Sequence, residues 1–175
     1  MRKVVTVVLL IVFLLSLGAV TSIQAGSGGG NCDVAALNTY LWQRRAILNV
    51  PHQAAQFYVN NALTLQQVLI LNQMSGITYA KLPAPTECAG VEELRFYTMT
   101  AMLLMDQAYT CNGEETCMQV VDDNMAWVQS QRDPILLALY VQAGIDENDS
   151  DFQNVLPPGW DWSIIINSGP TEPIY

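Results

Sequence analysis

The seven residues CNGEETC, Cys111 to Cys117, place an Asn-Gly turn and two glutamates between two cysteines. Three chemistries would use such a pair: a redox couple, half of a metal site, or a staple between two helices. A redox couple is normally Cys-x-x-Cys, and here five residues separate the thiols. Zinc needs four ligands, and the chain offers one histidine, His52, far from this turn. The staple remains, and it requires an oxidising compartment.

The start of the chain supplies one. MRKVVTVVLLIVFLLSLGAVTSIQA (1–25) opens with Arg2 and Lys3, runs apolar from Val4 to Leu17, and ends in small or polar residues. That order describes a cleaved secretory signal peptide, with the cut after Ala25. The alternative is an uncleaved anchor, since Val4 to Ile23 is long enough to span a bilayer, for which about 20 apolar residues suffice. Gly18, Thr21, Ser22 and Gln24 favour cleavage. Either way the remainder is secreted or extracytoplasmic, and a membrane enters only through a retained N-terminal segment.

Two of the seven basic side chains lie in that leader, so five face 16 acidic ones, a net charge of −11. Such a surface repels phosphate backbones, which excludes nucleic acid as a partner. Hydrophobic residues make up 51% of the chain, which supports a packed core.

Gly26-Ser-Gly-Gly-Gly30 with Asn31 reads as a Gly/Ser linker (26–31). Asp33 then caps a helix in which Val34, Leu37, Leu41 and Leu48 form one apolar stripe, with Arg44 and Arg45 directed away from it. Pro51 suits the first turn of a second helix that stops at Gly76. A third begins near Gly90 with Glu92 and Glu93 in its first turn. A fourth follows Cys117, and Asp133-Pro134 starts a short fifth. The expectation is an all-α fold: an up-down bundle of four to five helices over 32–145, then an acidic and Pro/Trp/Ile-rich tail over 146–175 lying extended along it. In that topology Cys32 and Cys88 precede helices that begin at the same end, while Cys111 and Cys117 share the other. The expected bridges are therefore Cys32–Cys88 and Cys111–Cys117.

Candidate chemistry is sparse. Met99, Met102 and Met105 carry thioethers that suit Cu(I), yet the two steps of three between them drift about 120° around a helix. Core packing is the plainer role for them. The carboxylate pairs Glu92-Glu93, Glu114-Glu115 and Asp122-Asp123 do not converge, because helical neighbours point about 100° apart. DENDSD (146–151) alternates like a calcium loop but has Asp151 where the glycine belongs. Trp160 and Trp162 flank Asp161, and Ile164, Ile165 and Ile166 follow; together they are the candidate contact for a protein, small-molecule or sugar partner. No catalytic constellation is visible and no cofactor is expected. The reading is a disulfide-stapled binding module. The alternatives are a copper carrier, a site assembled from Asp106, His52 and the methionines, or a structural envelope component.

N-terminal sequencing of the exported protein should begin at Gly26, with no thiol open to alkylation. Full-length chains in the cytosol with four reactive thiols would refute this.

Overall fold

The structure, a computed structural model, describes residues 32–167. The signal-peptide and linker readings lie outside them, as does the last part of the tail. Four long helices carry the fold: α1 (Val34–Val59), α2 (Leu65–Lys81), α3 (Val91–Thr110) and α4 (Glu115–Ala143). Two short ones follow, α5 (Ser150–Asn154) and α6 (Trp162–Asn167). Each long helix packs on the next, α4 closes back on α1, and α5 docks on α1. This is the expected helical bundle, and both expected disulfides are present.

Asp33 caps α1, its carboxylate accepting from the backbone N–H groups of Ala35 and Ala36 at 2.9 and 3.1 Å. Leu37 and Leu41 are fully buried, and the same stripe continues through Arg44 and Ile47 to Val50 and Ala54. Two expectations change here. Arg44 does not point away; its side chain is 3% exposed, because 37, 41 and 44 share one helical face. Nor does Pro51 begin a helix. It lies inside α1, where its missing N–H removes only the bond to Ile47, and packing on both sides carries the helix through.

The break falls instead at Asn60-Asn61. Asn61 adopts a left-handed φ of 56°, which asparagine tolerates better than most residues. Thr64 and Gln67 then form a capping box that starts α2. Gly76, expected as a stop, remains helical, its Cα facing the Met102 side chain of α3. Arg95 donates to the carbonyls of Leu82 and Ala80, closing the C-terminal end of α2. Gly90 starts α3 at φ 89°; a side chain there would also press on Ile135 at 3.0 Å.

CNGEETC is a tight reversal. Asn112 and Gly113 both have positive φ, 50° and 79°, and the Glu114 N–H donates to Cys111 O at 3.0 Å. That is the type I′ pattern that Asn-Gly prefers. α4 then runs through Pro134 without a break. Asp133 ion-pairs with Arg132 at 2.7 Å rather than capping a new helix, and both Ser130 and Pro134 are exposed, so water can satisfy the Ser130 carbonyl. Gly144, at φ 65°, ends α4 in a Schellman turn, with Ile145 N donating to Tyr140 O.

Two apolar clusters fill the ring. One joins all four long helices around Leu37, Leu41, Tyr79, Leu94 and Leu139 and includes Phe152 of α5. The other centres on Val50, Ala54, Leu63, Val68 and Leu71. Polar ties cross between helices: Tyr40 to Tyr79 at 2.8 Å, Arg44 to Thr98 at 3.2 Å, and Asn72 to Met102 O and Asp106 at 3.1 and 2.7 Å. The paired thiols indicate an oxidising, extracytoplasmic setting. Among the described residues no helix is long and apolar enough to cross a membrane.

The two bridges should differ in strength. Cys32–Cys88 spans 56 residues and Cys111–Cys117 spans 6. Loop-closure entropy makes the first worth about 4 kcal/mol and the second about 2 kcal/mol. Paired Cys→Ser variants, unfolded in denaturant, should reproduce that order; a larger loss from the short bridge would contradict it.

Candidate functional site

The tail builds the site. Asp149 caps α5 by accepting from the N–H groups of Asp151 and Phe152 at 2.7 and 3.2 Å. Phe152 is 1% exposed and sits edge-on to Trp42 and Tyr140, with ring centroids 4.9 and 5.3 Å away. From α1, the buried Asn49 amide donates to the carbonyls of Gln153 and Val155, both at 2.8 Å. Arg45 donates to the Gln153 carbonyl at 3.4 Å and to its side-chain oxygen, while the Gln153 amide donates to Glu147 O. α5 is therefore clamped on α1 from both sides of its chain.

Beyond α5 the chain turns at Pro158-Gly159, with Trp160 N donating to Pro157 O at 3.0 Å. Asp161 accepts from Ser163 N at 2.8 Å and opens α6; its bonds to Ser163 hold its carboxyl below the usual range. The expected extended tail is thus interrupted by two short helices, α5 and α6, and only 155–161 between them is non-helical. Of the side chains expected as a partner contact, Trp160, Trp162, Ile165 and Ile166 are half-buried against the second cluster. Ile164 stays 68% exposed. Trp162 packs against Phe57 in a tilted contact at 4.9 Å and edge-on to Trp160 at 5.4 Å, and its indole N–H donates to Gln53 Oε1 at 2.8 Å.

Two open hollows flank Arg45 and Gln153. One, of about 330 Å³, is lined by Asp133, Leu136, Tyr140 and Glu147 as well as Arg45. The other, of about 370 Å³, lies between α1 and α5 and is lined by Arg45, Asn49, His52, Gln53, Gln56 and Asn154, with Phe57 at one end. Among the described residues no carboxylate lines the second, and the Gln53 amide nitrogen and the Asn154 side-chain oxygen have no partner, while His52 and Gln56 bond to each other at 3.3 Å.

Sequence reading missed this groove. The signal was present as the polar series 45, 49, 52, 53 and 56, which shares one face once α1 is continuous.

The other candidates are engaged elsewhere. Met102 is 5% exposed and Met99 packs against the main cluster, while Met105 is half-buried. Asp106 accepts from Asn72, and Asp146 accepts from Asn148 N at 2.9 Å within its own turn. No group of three His, Cys, Asp or Glu among the described residues could hold a metal ion. No protein family, curated protein or solved structure matches the chain.

Burial pushes the Tyr140 phenol upward, with the Arg44 guanidinium opposing, and burial beside Tyr79 raises Tyr40. The folded state thus holds protons that unfolded tyrosine releases near pH 10. Stability is intact below about pH 10 and falls as pH rises past it. Phenolate absorbance from Tyr40 and Tyr140 should appear only as helical circular dichroism is lost; ionisation well ahead of unfolding would disprove the burial argument.

Proposed function

We propose that the protein is an extracytoplasmic binding module that captures a small, hydroxyl-rich ligand, a saccharide, in the α1–α5 groove. The observation that carries this reading is the groove's lining. A strongly acidic chain places arginine, histidine and amides around a hollow of about 370 Å³ and, among the described residues, no carboxylate. That volume lies within the range of small-molecule sites.

The chemistry of the lining fits the ligand class. A hydroxyl both gives and accepts a hydrogen bond, and amide side chains offer both partners in one planar group. Gln53 is held by Trp162, so its free amide nitrogen is aimed rather than mobile. Gln153 is fixed by Arg45 and Asn49. Phe57, tilted against Trp162, supplies an apolar face for ring C–H groups. Trp160, Trp162 and the isoleucines serve as the wall that positions these groups, and Ile164 is the tail side chain left outermost.

A second reading has its own observation. Phe96 and Trp127 are 46% and 49% exposed and stand edge-on to Tyr97 at 5.3 and 5.9 Å, an aromatic row across α3 and α4 that suits a protein partner.

Nuclear magnetic resonance of the oxidised protein separates the two. Titration with mono- and disaccharides should move the side-chain amide signals of Gln53, Gln56 and Asn154 and leave the Trp127 indole signal in place. A saccharide panel that moves none of those amides would remove the groove from consideration.

A further inference from the structure

We infer that the groove selects a saccharide carrying a carboxylate, a uronic-acid type of ligand, and that Arg45 is the group that reads its charge. The inference rests on the groove being the ligand site. It adds which ligands the site accepts.

The described residues contain five permanent cations, and four are accounted for or stand apart from the hollows. Arg44 is buried on Thr98. Arg95 closes the end of α2 through two carbonyls. Arg132 pairs with Asp133 at 2.7 Å, and Lys81 is exposed in the last turn of α2. Arg45 alone lines both hollows. Its bonds go to a neutral partner, both oxygens of Gln153, through one of its terminal nitrogens. The other terminal nitrogen donates to nothing among the described residues, and no carboxylate lies within ion-pair distance of the guanidinium.

A half-buried guanidinium fixed by neutral groups is a preorganised anion receptor. It is planar, always charged, and matches a carboxylate in shape. The flanks decide which hollow the anion enters. Asp133 and Glu147 line one and would repel it. The other has no acid among the described residues, and His52 stands two helical turns along the same face, about 10 Å from Arg45 by helix rise. Gln53 and Gln56 lie just beyond His52 on that face, placed to bond the hydroxyls of a ligand whose carboxylate is held at Arg45.

Glucuronate and glucose are suitable probes, because they differ in the carboxylate and share the remaining hydroxyls. Titrated into the oxidised protein, glucuronate should move the Gln53 and Asn154 amide signals at least about tenfold more tightly than glucose, as one charge-assisted pair supplies. Arg45→Gln should reduce that ratio to about one, with Arg45→Lys intermediate. Should Arg45→Gln unfold, raising the ionic strength to about 1 M for the wild-type chain should erase most of the preference instead. Equal affinity for the two probes would defeat the charge reading and leave the saccharide reading standing. No shift with either would defeat both.

Discussion

A single buried amide decides how the C-terminal tail of this chain is used. Asn49 is 2% exposed and sends both its N–H groups across the packing interface, to Gln153 O and Val155 O. An unpaired amide at that depth would cost on the order of 1–3 kcal/mol, so the tail carbonyls are required partners rather than incidental ones. Once they are in place, Phe152 must enter the space between Trp42 and Tyr140, and Arg45 must close over Gln153. The groove is the remainder of that docking: α1 forms one side, and the end of α5 forms the other.

The way the bundle is held together explains why so much rests on such contacts. The chain is strongly acidic, yet its described residues form one ion pair, on the surface, and exposed pairs are worth little. Charge therefore works against compactness here. Cohesion comes from the two apolar clusters, from cross-helix hydrogen bonds, and from two disulfides that limit the unfolded chain at opposite ends of the bundle. Aromatic contacts join the tail to the second cluster, which turns a segment rich in proline and tryptophan into part of the core.

The architecture was legible because its determinants are local or covalent. Four cysteines behind a leader-like apolar start, an Asn-Gly turn and apolar spacings of three and four residues lead to an up-down bundle with one sensible pairing of thiols. The errors share a physical cause. Pro51, Gly76 and Pro134 each disfavour a helix by an amount that tertiary packing exceeds, and no local rule can weigh that packing. Reading Pro51 as a helix start had a second consequence. It divided the polar series from Arg45 to Gln56 between two helices, which hid the groove's wall. The other wall, Gln153 and Asn154, lies more than 100 residues away in sequence and meets α1 only through the fold.

Arg44 and Arg45 show how adjacency in sequence separates roles in space. Neighbours on a helix point about 100° apart, so one of the pair enters the ring while the other reaches its edge. Arg44 finds Thr98 and the Tyr140 phenol inside, and the surrounding hydroxyls hold its charge without a carboxylate. Nothing in the core could accept a second such cation at comparable cost, because each uncompensated ion withdrawn from water is worth several kcal/mol. Arg45 therefore has to stay half-solvated, and the tail then fixes it there with Gln153 and the ring of Phe152, 6.0 Å away. A guanidinium that can neither sink into the core nor swing freely into water, bordered on one side by acids and on the other by amides, is a directional group. The fold that the disulfides and apolar clusters impose leaves it between the two hollows, and among the described residues only the α1–α5 hollow is lined by no acidic side chain.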